Sequence, residues 1–256
     1  MKDLSNIKGT LKGWTETSAK WYENASEYTG YHDYLLAAIL RFLKPEDRCC
    51  EIACGTGILA RKTAPHVASY TANDMDEKAV AFLKKQLQAP DAPAVEVLQG
   101  EWQTILAGKN YDVVLASYYG VPVKSWPFLR TLASRCFIVI CPRNLRWHKK
   151  RHREEIPDQK KEEKIRKLET PDNIKNFYTL NEIPFESLPL DLEFGQPFRN
   201  RDEAKEYVNY YYKLVGEDAD QFIDEKMILK EDILYYPKKK EIEIIAADLS
   251  RAGTDY

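Results

Sequence analysis

The stretch "CCEIACGTGILA", residues 49–60, decides how the rest of the chain is read. It is an apolar run that meets two glycines and continues as a helix-forming segment. Gly55, Gly57 and Ala60 make GxGxxA, and Glu51 stands four residues before the first glycine. A strand, a glycine turn and a helix bring backbone N–H groups and a helix N-terminus to the carboxyl edge of a sheet, where ligands of open α/β folds bind. The glycines allow a tight turn and a close ligand approach. That much suits any nucleotide-like ligand. Glu51 separates the readings by charge, because a carboxylate opposes a pyrophosphate and favours a cation.

Working outward, strand and helix signals alternate. Residues 48–54, 69–74, 94–100, 111–117 and 136–141 read as strands. Between them lie helical segments at 57–64, 76–88 and 126–134, the last with Pro127 in its first turn. Nearly continuous apolar strands alternating with helices imply a parallel sheet covered on both faces. Upstream, Tyr31, Tyr34, Leu35, Ala38, Ile39, Phe42 and Leu43 recur at helical spacing before Pro45, after thirty residues rich in aromatics. Downstream, 143–167 is highly charged, 188–197 reads as an edge strand, 201–215 and 218–233 as helices, and 239–249 as a closing strand. The expectation is an α/β fold with a doubly wound, mostly parallel seven-stranded sheet. A helical cover precedes it, and a helical cap is inserted after strand five and between the last two strands. This makes one domain: cover 1–44, cofactor core 45–142, cap 143–233 and closing strand 234–256.

Composition narrows the function. The chain has 256 residues, a net charge of −2 and a pI near 6.2, so no global charge draws it to nucleic acid or an anionic membrane. Its longest clean apolar run, "YLLAAIL" (34–40), is far shorter than the roughly 20 residues of a membrane span. No apolar leader is visible at "MKDLSNIKGTLKGW", and the expected location is the cytoplasm. The five cysteines contain no CxxC pair, and the third position of a CxxxCxxC cluster motif falls on Gly57. Neither a zinc ribbon nor a disulfide framework is indicated, and no metal is expected.

"EIACGTG" resembles motif I, [DE]xGxGxG, of the Rossmann-type (class I) S-adenosylmethionine-dependent methyltransferases, with Ala53 at the first glycine position and Cys54 at a position where cysteine is common. The resemblance covers roughly residues 20–142. Asp74 ends the second strand, seventeen residues after Gly57, where the family has an acid that holds the ribose hydroxyls. Glu101 and Trp102, in "LQGEW", stand where an acid accepts from the adenine amino group and an aromatic covers the ring. "YDVVLAS" resembles the fourth-strand motif, and "WYENASEYTGYHDYL" the helix that covers the cofactor in many members. The resemblance therefore implies S-adenosylmethionine as cofactor and S-adenosylhomocysteine as product. The implied cofactor-binding set is Tyr22, Glu51, Ala53, Cys54, Gly55, Gly57, Asp74, Met75, Glu101, Trp102 and Ser117. Asp74 also suits a dinucleotide ribose, so an NAD(P)-dependent oxidoreductase using GxGxxA is the alternative.

Methyl transfer needs alignment and exclusion of water more than a strong base, so catalytic residues are weakly specified. "SYYGVP" after the fourth strand lacks [DNS]PP[YFW], paired glutamates and an aspartate at Ser117. That removes support for amino-methylating DNA enzymes, protein arginine methyltransferases and catechol-type metal enzymes. The remaining candidates are Tyr118 and Tyr119 as substrate walls or packing, His32 as a base, and Arg143 and His148 near the end of the fifth strand. A surface helix position is the commoner outcome for His32, and His66 reads as a surface residue at a helix end. Arg143 or Arg146 offers a guanidinium to an anionic substrate. The basic run 143–153 offers a second alternative, an RNA methyltransferase, although a solvated helix with i,i+4 charge pairs fits 149–167 better. Tyr207, Tyr210, Tyr211 and Leu214 share a helical face that lines a chamber or packs a core. The expected partner is a small molecule, with no nucleic acid and no membrane. A cofactor-binding protein without catalysis also fits, since no base is demanded.

Overall fold

A computed structural model describes residues 13–143, 167–168 and 170–250. The chain divides into two compact units, cutting across the expected boundaries at 44, 142 and 233. One comprises 32–192 and 241–256, the other 1–31 and 193–240.

The larger unit is built on a seven-stranded sheet. Its strands are β1 (Arg48–Ile52), β2 (Ser69–Asp74), β3 (Glu96–Gln99), β4 (Tyr111–Ser117), β6 (Ala133–Pro142), β8 (Phe185–Glu193) and β12 (Lys239–Asp248), ordered β3-β2-β1-β4-β6-β12-β8. The pairs β1–β2, β1–β4, β2–β3 and β4–β6 are parallel, and β12 runs antiparallel to β6. The order reverses between β1 and β4, which places the glycine turn after β1 at the topological switch point. The expected α/β sheet is therefore present. A two-stranded ladder, β5 (Val121–Pro122) with β7 (Lys167–Leu168), stands apart from it.

Side chains alternate across the sheet, so in-register neighbours share a face. Cys50, Ile52, Val114, Ala116, Phe137 and Val139 fall on one face and belong to one buried cluster. Three helices supply its other side: α5 (Trp102–Ile105), α6 (Trp126–Leu132) and α7 (Pro171–Leu180). Helix α7 corrects an expectation, because its residues were assigned to the cap. Ile174, Phe177 and Tyr178, at helical spacing, bury into this core, and Trp126 meets Phe177 and Tyr178 at 5.1 and 5.6 Å. Thr170 caps the helix by accepting from Asn173 N–H at 3.1 Å.

Asp47 secures the other end of β1. Its carboxylate accepts from Lys44 N–H at 2.6 Å and from the Arg135 guanidinium, which also donates to the Phe42 carbonyl at 3.0 Å. Asp47→Ala should cost about 2–3 kcal/mol in denaturant unfolding, below the roughly 3–5 of a fully buried pair, because the Arg135 side chain keeps 26% of its surface in water.

The smaller unit combines α1 (Glu16–Thr29), α8 (Arg201–Tyr212) and α9 (Gly216–Lys226) with the sheet β9 (Gln196–Phe198), β11 (Ile233–Tyr236), β10 (Ile228–Lys230). The helix expected over 218–233 stops at Lys226, and an antiparallel hairpin follows. Its two-residue turn, Glu231–Asp232, has φ of 51° and 63°, as a type I′ turn requires. The segment carries helix-forming residues and no Asn-Gly, so the turn had no local signature. Trp21, Phe198, Tyr207, Val208, Leu214 and Phe222 form the core of this unit, with Tyr210, Tyr211 and Tyr212 packed against it.

Candidate functional site

Chain order and register assemble the site at the carboxyl ends of β1 and β2. Glu51, on β1, lies opposite Ala72 on β2. Tyr70 and Asp74 are therefore its diagonal neighbours on the same face, and the small Ala72 leaves room between them. Glu51 is buried to 1% exposure and accepts from the Tyr70 hydroxyl at 3.2 Å. Burial pushes its carboxyl up to about 8; Asp74 adds to the rise and the Tyr70 bond opposes it.

The turn is fastened to the end of β2. Cys54 N–H donates to the Asn73 carbonyl at 2.9 Å, and Gly55 N–H donates to Asp74 Oδ2 at 2.7 Å. Asp74 Oδ1 accepts from Asp76 N–H at 2.8 Å, just before α4 (Glu77–Gln86). Each carboxylate oxygen thus uses one lone pair on the backbone and keeps another, the capacity two ribose hydroxyls need. Buried Thr56, absent from the sequence-derived set, has no hydrogen-bond partner for its hydroxyl among the described residues and lies in the same turn. Orphaned hydroxyl, spare acceptors and buried acid all suit a polar, cationic ligand.

Ala53 has φ 53°, in the left-handed region that glycine prefers. The family's glycine at this position thus has a backbone reason, and alanine bears a strain of roughly 1–2 kcal/mol. Ala53→Gly should raise stability by only about 0.5–1 kcal/mol, since glycine also gains freedom in the unfolded chain; thermal unfolding measures it.

The second acidic region follows β3. Asn73 Nδ2 donates to the Leu98 and Gly100 carbonyls at 3.2 and 3.0 Å, and Gly100 N–H donates to the Asp74 carbonyl at 3.0 Å. This places Glu101 beside the end of β2. Its Oε2 caps α5 by accepting from Thr104 N–H at 3.0 Å, a task the sequence reading did not assign. Trp102 is 3% exposed, donates its indole N–H to the Tyr119 hydroxyl at 3.2 Å and meets Phe128 edge-on at 5.4 Å. Packed this way it offers no ring face to a ligand, because the core of α5 and α6 takes the apolar surface. Met75 is 67% exposed directly after Asp74.

At the end of β4, Ser117 is half-buried, and Tyr118 is exposed with φ 54°. Left-handed backbone at a bulky residue is strained. Tyr119 packs against the core. His32, on α2 (Tyr31–Ile39), is 5% exposed, correcting the surface expectation; it shares a helical face with buried Leu35 and Ile39. His66 is exposed at the end of its short helix, as expected. Arg143 pairs with Asp191 on β8 and donates its backbone N–H to the Glu241 carbonyl at 2.9 Å. His148, Arg146 and the rest of the basic run at 144–153 lie outside the described residues.

In the smaller unit, Tyr22 packs on Trp14 and Phe194 at 5.3 and 5.0 Å. Two lysines that the sequence analysis did not single out are drawn among its rings. Lys238 donates to the Tyr207 hydroxyl at 2.8 Å and lies 4.4 Å from the Tyr236 ring centre. Lys240 lies 3.7 Å from that of Phe194 and 4.7 Å from that of Tyr31. Burial lowers both ammonium groups, to about 8 and about 7. Among the described residues Lys238 has no carboxylate partner. No metal-binding cluster and no helix long and apolar enough to cross a membrane occur among the described residues.

Residues 50–143 match the family model described as "Methyltransferase domain". No curated protein matches. Among solved structures, the YcgJ protein of Bacillus subtilis is similar at 12% identity and a TM-score of 0.51, covering 85% of this chain and 99% of its own. The magnesium protoporphyrin IX methyltransferase of Synechocystis PCC 6803 is 14% identical over 93% of this chain and 90% of its own, at 0.48. A putative RNA methyltransferase of Pyrococcus horikoshii is 13% identical over 96% and 94%, at 0.47. At such identities the likeness speaks to fold alone.

Proposed function

We propose that the chain, whose residues 50–143 match the methyltransferase-domain model, is an S-adenosylmethionine-dependent methyltransferase of a small molecule, with Glu51, Asp74 and the backbone of 53–57 holding the cofactor. The carrying observation is the Asp74 carboxylate, tied to Gly55 N–H and Asp76 N–H with one acceptor site left on each oxygen. Bound there, S-adenosylmethionine supplies a methyl group made electrophilic by its sulfonium.

The chain's own residues orient and enclose. The Asp74 carboxylate, with Glu51 beside it able to ionise only when a cation is at hand, favours a cationic ligand over a pyrophosphate, which argues against the nicotinamide alternative. The unused Glu101 Oε1 is left for an amino donor, and exposed Met75 takes the apolar cover that buried Trp102 cannot give. Ser117 and Tyr118 stand at the carboxyl end of β4, where the acceptor molecule would be aligned. Exclusion of water and alignment carry an in-line transfer, with no general base required. Arg143, which Asp191 already engages, gives little support to an anionic group on the substrate.

Methyl-labelled S-adenosylmethionine incubated with a cell extract tests the substrate class. Protein-dependent label in the fraction below ~1 kDa is expected; label confined to RNA or protein would overturn the small-molecule reading.

A further inference from the structure

Glu51 stands out in the site for how little holds its carboxyl. An ionised carboxylate in a dry interior needs a cation or several hydrogen bonds. Among the described residues Glu51 accepts one hydrogen bond, from Tyr70 at 3.2 Å. That is long beside the 2.5–2.7 Å typical of a hydroxyl on a full carboxylate charge. The groups that face it are Tyr70 and Asp74 from β2 and Cys54 from the turn; β4 presents Leu115 and Val113, and Cys50, next to it in the chain, points to the opposite face. No lysine, arginine or histidine among the described residues acts on it. Burial raises Tyr70 and both thiols, so they stay neutral near pH 7.

We propose that Glu51 is protonated in the free protein, that binding of the cationic cofactor expels this proton to solvent, and that Tyr70 is the positioning residue that holds the resulting carboxylate. The inference rests on the cofactor reading above. Tyr70 fits the role because its hydroxyl donates to either protonation state, and the ionised one gains more from it. A cation at the turn supplies the missing counter-charge, so the site would recognise charge through a proton exchange rather than through a preformed anion. Affinity then rises with pH below the free group's titration near 8, by up to tenfold per pH unit, and levels above it.

Stability moves the opposite way. The folded free protein keeps a proton that the unfolded chain releases above a pH of about 4.5, so this group makes the free protein less stable as pH rises from there towards 8. Glu51→Gln mimics the protonated form and removes that loss.

The test is calorimetry of S-adenosylmethionine binding from pH 6 to 8.5, in buffers of differing ionisation enthalpy, on wild type, Glu51→Gln and Tyr70→Phe. Wild type should release up to one proton near pH 7. Glu51→Gln should release less by that amount, which subtracts the ligand's own titration, and should melt above wild type at pH 8 without ligand. Tyr70→Phe should bind severalfold more weakly at pH 7, with its affinity plateau moved to higher pH. Equal proton release in wild type and Glu51→Gln, or a Tyr70→Phe loss that is the same at every pH, would overturn the proposal. Should Glu51→Gln fail to fold, the buffer dependence of wild type alone still decides whether a proton leaves. No binding at any pH would instead refute the cofactor assignment itself.

Discussion

Gly57→Ala should destabilise the protein by about 2–5 kcal/mol and disable the cofactor turn. Two costs combine. Gly57 has φ 71°, where an alanine loses roughly 1–2 kcal/mol. An added Cβ would lie 2.5 Å from Leu83 Cδ1 and 2.6 Å from Cδ2. Leu83 on α4 is fully buried, so its methyls have nowhere to swing, and overpacking of this kind adds about 1–3 kcal/mol. The melting temperature should fall by roughly 4–20 °C, at about 2–4 °C per kcal/mol for a chain of this size. A double variant with Leu83→Ala separates the two costs. The clash vanishes in it, so the pair should be less destabilised than the sum of its singles by about 1–3 kcal/mol. Strict additivity would show that the backbone angle alone is responsible.

Asp74→Asn should weaken S-adenosylmethionine binding by at least about tenfold and cost about 1–3 kcal/mol of stability. The substitution keeps the shape and changes one atom's role. Asp74 accepts from Gly55 N–H with one oxygen and from Asp76 N–H with the other. An asparagine has one oxygen, so whichever way it flips, its NH₂ faces one of those N–H donors. The turn then loses its tie to β2 or α4 loses its lead-in, and one ribose acceptor is gone. Parallel calorimetry and thermal melts check it. Unchanged affinity would remove Asp74 from the site.

The parallel half of the sheet was legible because strands buried on both faces are nearly continuously apolar, as in "YDVVLAS" and "CFIVIC". Helix α7 was hidden by the charged stretch before it, although Ile174, Phe177 and Tyr178 carry the helical period. The Glu231–Asp232 hairpin turn was not legible, because it adopts left-handed backbone without the glycine or asparagine that usually announces it. In the site, charge logic singled out Glu51 and Asp74, and both lie on one face beside the turn. Tyr70 could not be found from spacing, since its contact with Glu51 depends on the β1–β2 register, and its own strand reads as ordinary core. His32 was misplaced by composition when its spacing to Leu35 and Ile39 already marked the inner face. Lys238 and Lys240 carried no signal in the sequence, and only packing shows the rings around them.

The most direct test of the central claim is titration calorimetry of the purified protein with S-adenosylmethionine and, separately, with NAD(P)H. A turn flanked by Glu51 and Asp74 predicts saturable binding of S-adenosylmethionine, weakened in Asp74→Asn, and no detectable heat from the pyrophosphate-bearing cofactor. Binding of NAD(P)H with none of S-adenosylmethionine would contradict the account.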